Sequence, residues 1–162
     1  MSRRYSPECQ TIAGQWNAEN FLVTSYFPIV PPSGTQGVRK VANVTVDFAL
    51  ETGANLTFGW ALVYWPNAER LFSSDPGTYL PALASPTIGT AVSLYEPNQH
   101  VLMQGIFNTT NQKTFRRFTR LSRNLQSEDS LIFLIRGYAA EQAPTGDQVI
   151  NFAMTFSYAI SF

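Results

Sequence analysis

Residues 149–162 read VINFAMTFSYAISF, and the spacing of their side chains decides the fold. Ile150, Phe152, Met154, Phe156, Tyr158, Ile160 and Phe162 hold the even positions. Val149, Asn151, Ala153, Thr155, Ser157, Ala159 and Ser161 hold the odd ones. Successive residues of a strand point to opposite faces. The large apolar side chains therefore share one face, and small or polar ones take the other. Burying the seven even side chains is worth about 1.5–3 kcal/mol each, on the order of 10–20 kcal/mol gross. That gain exceeds the cost of ordering the segment only if the strand lies inside a sheet or against another chain. The spacing predicts a central strand of the protein's own sandwich, with Phe162 near an interface.

The same period runs upstream. FLVTSYFPIV (21–30) is rich in β formers and closes on Pro31, Pro32, Ser33 and Gly34. VRKVANVTVDFAL (38–50) alternates, with Val44, Val46, Phe48 and Leu50 on one face and Asn43, Thr45 and Asp47 on the other. LTFGWALVYW (56–65) is almost wholly apolar, the mark of a strand buried on both faces. HVLMQGIF (100–107), TFRRFTRL (114–121) and SLIFLIRGY (130–138) complete the upstream series. SRNLQSED (122–129) reads as a loop, and residues 67–99, broken by Pro76, Pro81, Pro86 and Pro97, as a long crossing connection with at most a helical turn near 67–72. With residues 149–162 these segments number seven, and the expected total for the fold is eight strands. Turns are too frequent for βαβ units, so the expected fold is all-β: an eight-stranded antiparallel jelly-roll sandwich of viral coat type. One domain, residues 1–162, is expected, with a short N-terminal segment, 1–20, whose order the sequence does not set.

Composition narrows the function. The chain has 162 residues, 44% of them hydrophobic, so a core needs no metal or disulfide to support it. Charged residues are 14%, against roughly 25% in an average domain. A surface this short of charge is expected to be covered in part by other protein chains. Eleven bases balance eleven acids. Cys9 stands alone, so no internal disulfide can form. No secretory leader is expected from MSRRYSPECQ, and no apolar run has the length of a membrane span. The Asn-x-Thr triplets at Asn43, Asn55 and Asn108 are put down to chance in an Asn- and Thr-rich chain.

Catalysis should leave marks, and they are missing. His100 is the one histidine, far in sequence from Cys9. No Gly-x-Ser-x-Gly elbow, metal-ligand spacing or phosphate-cradling glycine loop occurs. Glu128 and Asp129 adjoin, but in a turn. We expect neither enzyme activity nor a cofactor or metal.

One constellation stands apart. Lys113, Arg116, Arg117, Arg120 and Arg123 are five of the eleven bases, and no acid lies between Pro97 and Ser127. On a strand, Arg116, Phe118 and Arg120 share one face, and Phe115, Arg117 and Leu121 the other. Two readings stay open: a basic strip that meets phosphate beside phenylalanine faces, or a subunit-contact strand whose arginines pair with a neighbour's acids.

SLYEPNQHVLMQGIFN, KTFRRFTRLSRNLQSEDSLIFLIRG and the alternating last strand, with VRKVANVTVDFALETGANLTFGWALVYWP before them, resemble a known family. It is that of the capsid (coat) proteins of small viruses with circular single-stranded DNA genomes, nanovirus-like and circovirus-like, and of related satellite-virus coat proteins. The resemblance covers about residues 38–162. It implies a homo-oligomer of about sixty copies in a T = 1 icosahedral shell around single-stranded DNA. The chain would then be found in the virion, and in the host nucleus or cytoplasm during assembly. The long arginine-rich arm usual in that group is reduced here to Arg3 and Arg4. These two, with Lys113, Arg116, Arg117, Arg120 and Arg123, are the candidate nucleic-acid-binding residues. The alternative is a carbohydrate-binding jelly-roll module using Trp16, Trp60, Trp65 or Tyr79. A cupin-like enzyme would need two or three ligating histidines.

Overall fold

The structure, a computed structural model, describes residues 4–17, 23–34, 37–51, 56–66, 100–110, 112–138 and 149–162. These residues form nine strands: β1 (Ser6–Trp16), β2 (Ser25–Val30), β3 (Arg39–Glu51), β4 (Thr57–Trp65), β5 (Val101–Asn108), β6 (Thr114–Thr119), β7 (Arg123–Leu125), β8 (Ser130–Tyr138) and β9 (Ile150–Ser161). All pairings are antiparallel, in two sheets. Sheet A has the order β1-β9-β3-β6, with β7 also on β3; sheet B has the order β2-β8-β4-β5. The pairs nest: β4 with β5, β3 with β6, β2 with β8, β1 with β9. The two sheets face each other across one core, as a β-sandwich.

Strand β9 is central, as its alternation predicts. It pairs with β1 from Ile150 to Ile160 and with β3 from Asn151 to Ser161. Ile150, Phe152, Met154, Phe156 and Ile160 are buried, while Asn151 and Ala153 are exposed. Phe162 lies just beyond the strand and is 83% exposed. On β3, the register shifts between Ala42 and Thr45, where two residues oppose Tyr158 alone. Asn43 takes the extra place at φ 55°, the left-handed conformation asparagine tolerates. The bulge reverses the parity of β3. Val41 precedes it and Val44, Val46, Phe48 and Leu50 follow it, yet all five face the core.

Strand β4 is buried on both faces, also as expected. Phe58, Trp60 and Leu62 enter the main core, while Ala61, Val63 and Trp65 join Ile132 and Leu134 of β8 in a second cluster. Trp16, Trp60 and Trp65 are all buried. The main core is aromatic: Trp16 stacks on Phe152 at 4.0 Å, and Phe107 and Phe115 meet at 4.9 Å. Two glycines make room for it. Gly14 pairs with Phe152 across the ladder and Gly105 with Trp60. A Cβ at either site would lie 2.8–2.9 Å from the ring opposite.

Strands β1 and β7 lie outside the seven segments read as strands above, and with them the described residues hold nine strands, one more than the expected total of eight. Strand β1 lies in the segment 1–20, which carries no strand in the sequence reading. Apart from Ile12 and Trp16 its side chains are small or polar, and its strand state comes from pairing along its length with β9. Strand β7 falls in the stretch read as a loop. It is three residues long, too short to show a period. Residues 67–99, read as a crossing connection, lie outside the described residues.

Phe156→Ala should lower the unfolding free energy by about 3–5 kcal/mol, whereas Phe162→Ala should change it by less than about 0.5 kcal/mol. Urea unfolding followed by tryptophan fluorescence measures both. Gly105→Ala should cost about 1–3 kcal/mol through collision with the Trp60 ring.

Candidate functional site

The basic strip lies along a free edge. Strand β6 pairs with β3 on one side, and nothing among the described residues pairs with its other side. Phe115 and Thr119 point inward and are buried. Alternation then puts Arg117 on the inward side at the sandwich rim, and Arg116 and Phe118 on the outer face of sheet A, while Arg120 and Leu121 follow the last strand residue, Thr119. The sequence parity holds within the strand. Phe118 is 53% and Leu121 51% exposed, both large apolar groups open to solvent.

The cations have different settings. Arg116 is opposite Asp47 on β3 and binds it bidentately, Nε to Oδ1 at 2.6 Å and Nη2 to Oδ2 at 3.2 Å. This pair is open to water, with the Arg116 side chain 74% exposed, so it adds little to stability. It borders a shallow hollow of about 490 Å3 on the outer face, lined also by Ala49, Gln112, Ala153 and Thr155. Arg117 lays its guanidinium 5.4 Å from the Phe115 ring centre and donates from Nη1 to the Arg116 carbonyl at 2.9 Å. Lys113 and Arg120, at the two ends of β6, are exposed. Arg123 stands apart on β7 and is half-buried. Arg4 is exposed near the start of β1, and Arg3 lies outside the described residues. Lys113, Arg116, Arg117 and Arg120 thus gather on one flank around Phe118 and Leu121, though not on one face.

A second polar group closes one end of the sandwich. Asp129, 5% exposed, sits in the turn between β7 and β8. Its Oδ2 accepts from the Tyr64 hydroxyl at 2.7 Å and from the Gln126 amide at 2.8 Å. Arg39 donates to the Asp129 carbonyl at 3.0 Å and to the Pro31 carbonyl at 2.9 Å. Glu128, at φ 68°, donates its amide to the Ser33 carbonyl. His100 stacks on Tyr64 and holds the Tyr64 carbonyl at 3.0 Å through Nδ1. A carbonyl only accepts, so Nδ1 carries the proton. The turn reading of Glu128 and Asp129 holds; the burial of Asp129 is the part the sequence hides. Among the described residues no group of three or more His, Cys, Asp or Glu side chains is placed to hold a metal ion. No helix of the described residues is long and apolar enough to cross a membrane. Tyr79 lies outside the described residues.

Burial, then the hydrogen bond and charge of Asp129, push the Tyr64 phenol up to about 12 from its ordinary 10.0. A pKa raised on folding contributes stability that is complete below the unfolded value and is lost as pH climbs through the folded one. Tyr64→Phe should therefore cost about 1–3 kcal/mol near neutral pH by leaving Asp129 short of a donor. The difference from the parent should vanish between pH 10 and about 12. Urea melts across that range measure it.

Comparison of the chain with protein-family models finds no match, and comparison with curated proteins finds none.

Proposed function

We propose that the chain is a structural coat subunit that assembles with copies of itself into a small closed shell of about sixty subunits enclosing single-stranded DNA. The carrying observation is β6. Among the described residues its outer edge is unpaired, and Phe118 and, just past its end, Leu121, both half-exposed, are interspersed with Arg116, Arg117 and Arg120. Solvated strand edges invite pairing or docking, and natural proteins cover them. Aromatic side chains and arginine are the types enriched where protein surfaces meet. The low share of charge in the chain supports the same reading.

The jelly-roll form of the sandwich is part of this proposal. Strands β6 and β7 lie end to end on one edge of β3, β6 against Val44–Ala49 and β7 against Arg39–Val41. Counted as one strand interrupted opposite the bulge, they bring the total to eight. The order becomes 1-8-3-6 in one sheet and 2-7-4-5 in the other. That is the order of a long antiparallel ribbon rolled on itself, an architecture shared by viral coats, lectins and cupins. Fold alone does not choose among these. A glycan-binding sheet would present tryptophan to solvent, and Trp16, Trp60 and Trp65 are buried.

Negative-stain electron microscopy and sedimentation of the purified chain should show closed particles of one diameter. A chain that stays monomeric at all concentrations and salt levels overturns the proposal. Phe118→Ser with Leu121→Ser should shift the equilibrium to free subunits while changing subunit stability by less than about 0.5 kcal/mol each. An absorbance ratio typical of nucleic acid, lost on nuclease treatment of opened particles, tests the packaging of DNA.

A further inference from the structure

The neutral chain is not neutral in its parts. The described sandwich carries nine of the eleven bases and five of the eleven acids, a net charge of +4. The remaining residues carry two bases and six acids, a net −4. Five of those six acids fall in the two long connections: Glu69, Asp75 and Glu96 between β4 and β5, Glu141 and Asp147 between β8 and β9. Arg70 is the one base in the two. On the sandwich, the positive charge is densest on the β6 flank. Asp47 engages Arg116 there, but among the described residues no carboxylate pairs with Lys113, Arg117 or Arg120.

Resting on the coat-subunit reading, we propose that the β6 flank is a contact between copies, filled by an acidic connection of a second copy of this chain. A flank rich in cations and a set of connections rich in acids, on one neutral polypeptide, are complementary between copies. The contact is heterologous, because two different patches meet, and heterologous contacts build rings when the rotation between copies closes. Phe118 and Leu121 supply the apolar centre, and Lys113 and Arg120 the charged rim at either end of β6. Nucleic acid, the other candidate for such a flank, would neutralise its cations and leave the acids of the connections without a counterpart.

The test reverses charge. Lys113 and Arg120 are exposed, so Lys113→Glu with Arg120→Glu should leave the circular dichroism and the unfolding midpoint unchanged. It should raise the concentration needed for particle formation by about tenfold or more. Adding Glu141→Lys with Asp147→Lys, or Glu69→Lys with Asp75→Lys, to that same chain should restore assembly. Should reversal unfold the subunit, Lys113→Gln with Arg120→Gln serves instead. That chain should assemble more weakly at low salt and lose most of the parent's salt dependence. Strip-reversed particles that form as readily as the parent's but empty assign the flank to nucleic acid and overturn the inference. So does a failure of assembly that neither set of reversed acids repairs, or a salt dependence untouched by the glutamine pair. If the parent chain itself makes no particles, the coat reading falls first, and the contact with it.

Discussion

Strand β9 is bonded along both edges, to β1 and to β3, and buries five large side chains on one face. Its register is fixed twice over. A slip by one residue would turn Phe152, Met154 and Phe156 outward and break two ladders at once. Sheet A is organised about this strand, and the aromatic core is set by it. Phe152 lies over Gly14 and against Trp16, and Phe156 meets Phe133 of the facing sheet. The bulge at Asn43 belongs to the same constraint. It adjusts β3 so that residues on both sides of it continue to face inward against β9.

What the sequence made legible follows from range. Strands β4 and β9 could be read because their patterns are local: one nearly continuous apolar run and one strict alternation. The division of Arg116 and Arg117 between two faces could also be read, since it needs only a period of two. Strand β1 could not. Pro7, Gln10, Gly14 and Gln15 do not favour a strand, and β1 exists because β9 offers a ladder far along the chain. The Asp129 group was hidden for the same reason. Its partners Tyr64 and Arg39 are 65 and 90 residues away, and no spacing rule reaches that far. The Asp47–Arg116 pair needed the register of β3 against β6, which is a tertiary fact. The exposure of Phe118 and Leu121, on which the functional reading rests, is equally tertiary: periodicity assigns a face but not what covers it.

The two sides of β6 differ in setting. Inside, Phe115 stacks on Phe48 and Trp60 and closes the core. Outside, the same six residues present arginine and phenylalanine to solvent. Because the inward side chains anchor the strand, outward ones can be exchanged with small effect on the subunit. Under the proposed contact, binding and folding would be largely separable on this flank.

The nesting of the pairs also sets an order of events during synthesis. Ser6 finds its ladder partner at Ile160, so nearly the whole chain intervenes between them. Neighbours so distant close slowly, because loop entropy is lost before any contact offsets it. On the ribosome, β1 and β3 emerge long before β9 and wait with open edges on either side of its future place. Until β9 is released, sheet A has a vacant slot between β1 and β3, which a strand from a neighbouring nascent chain can fill.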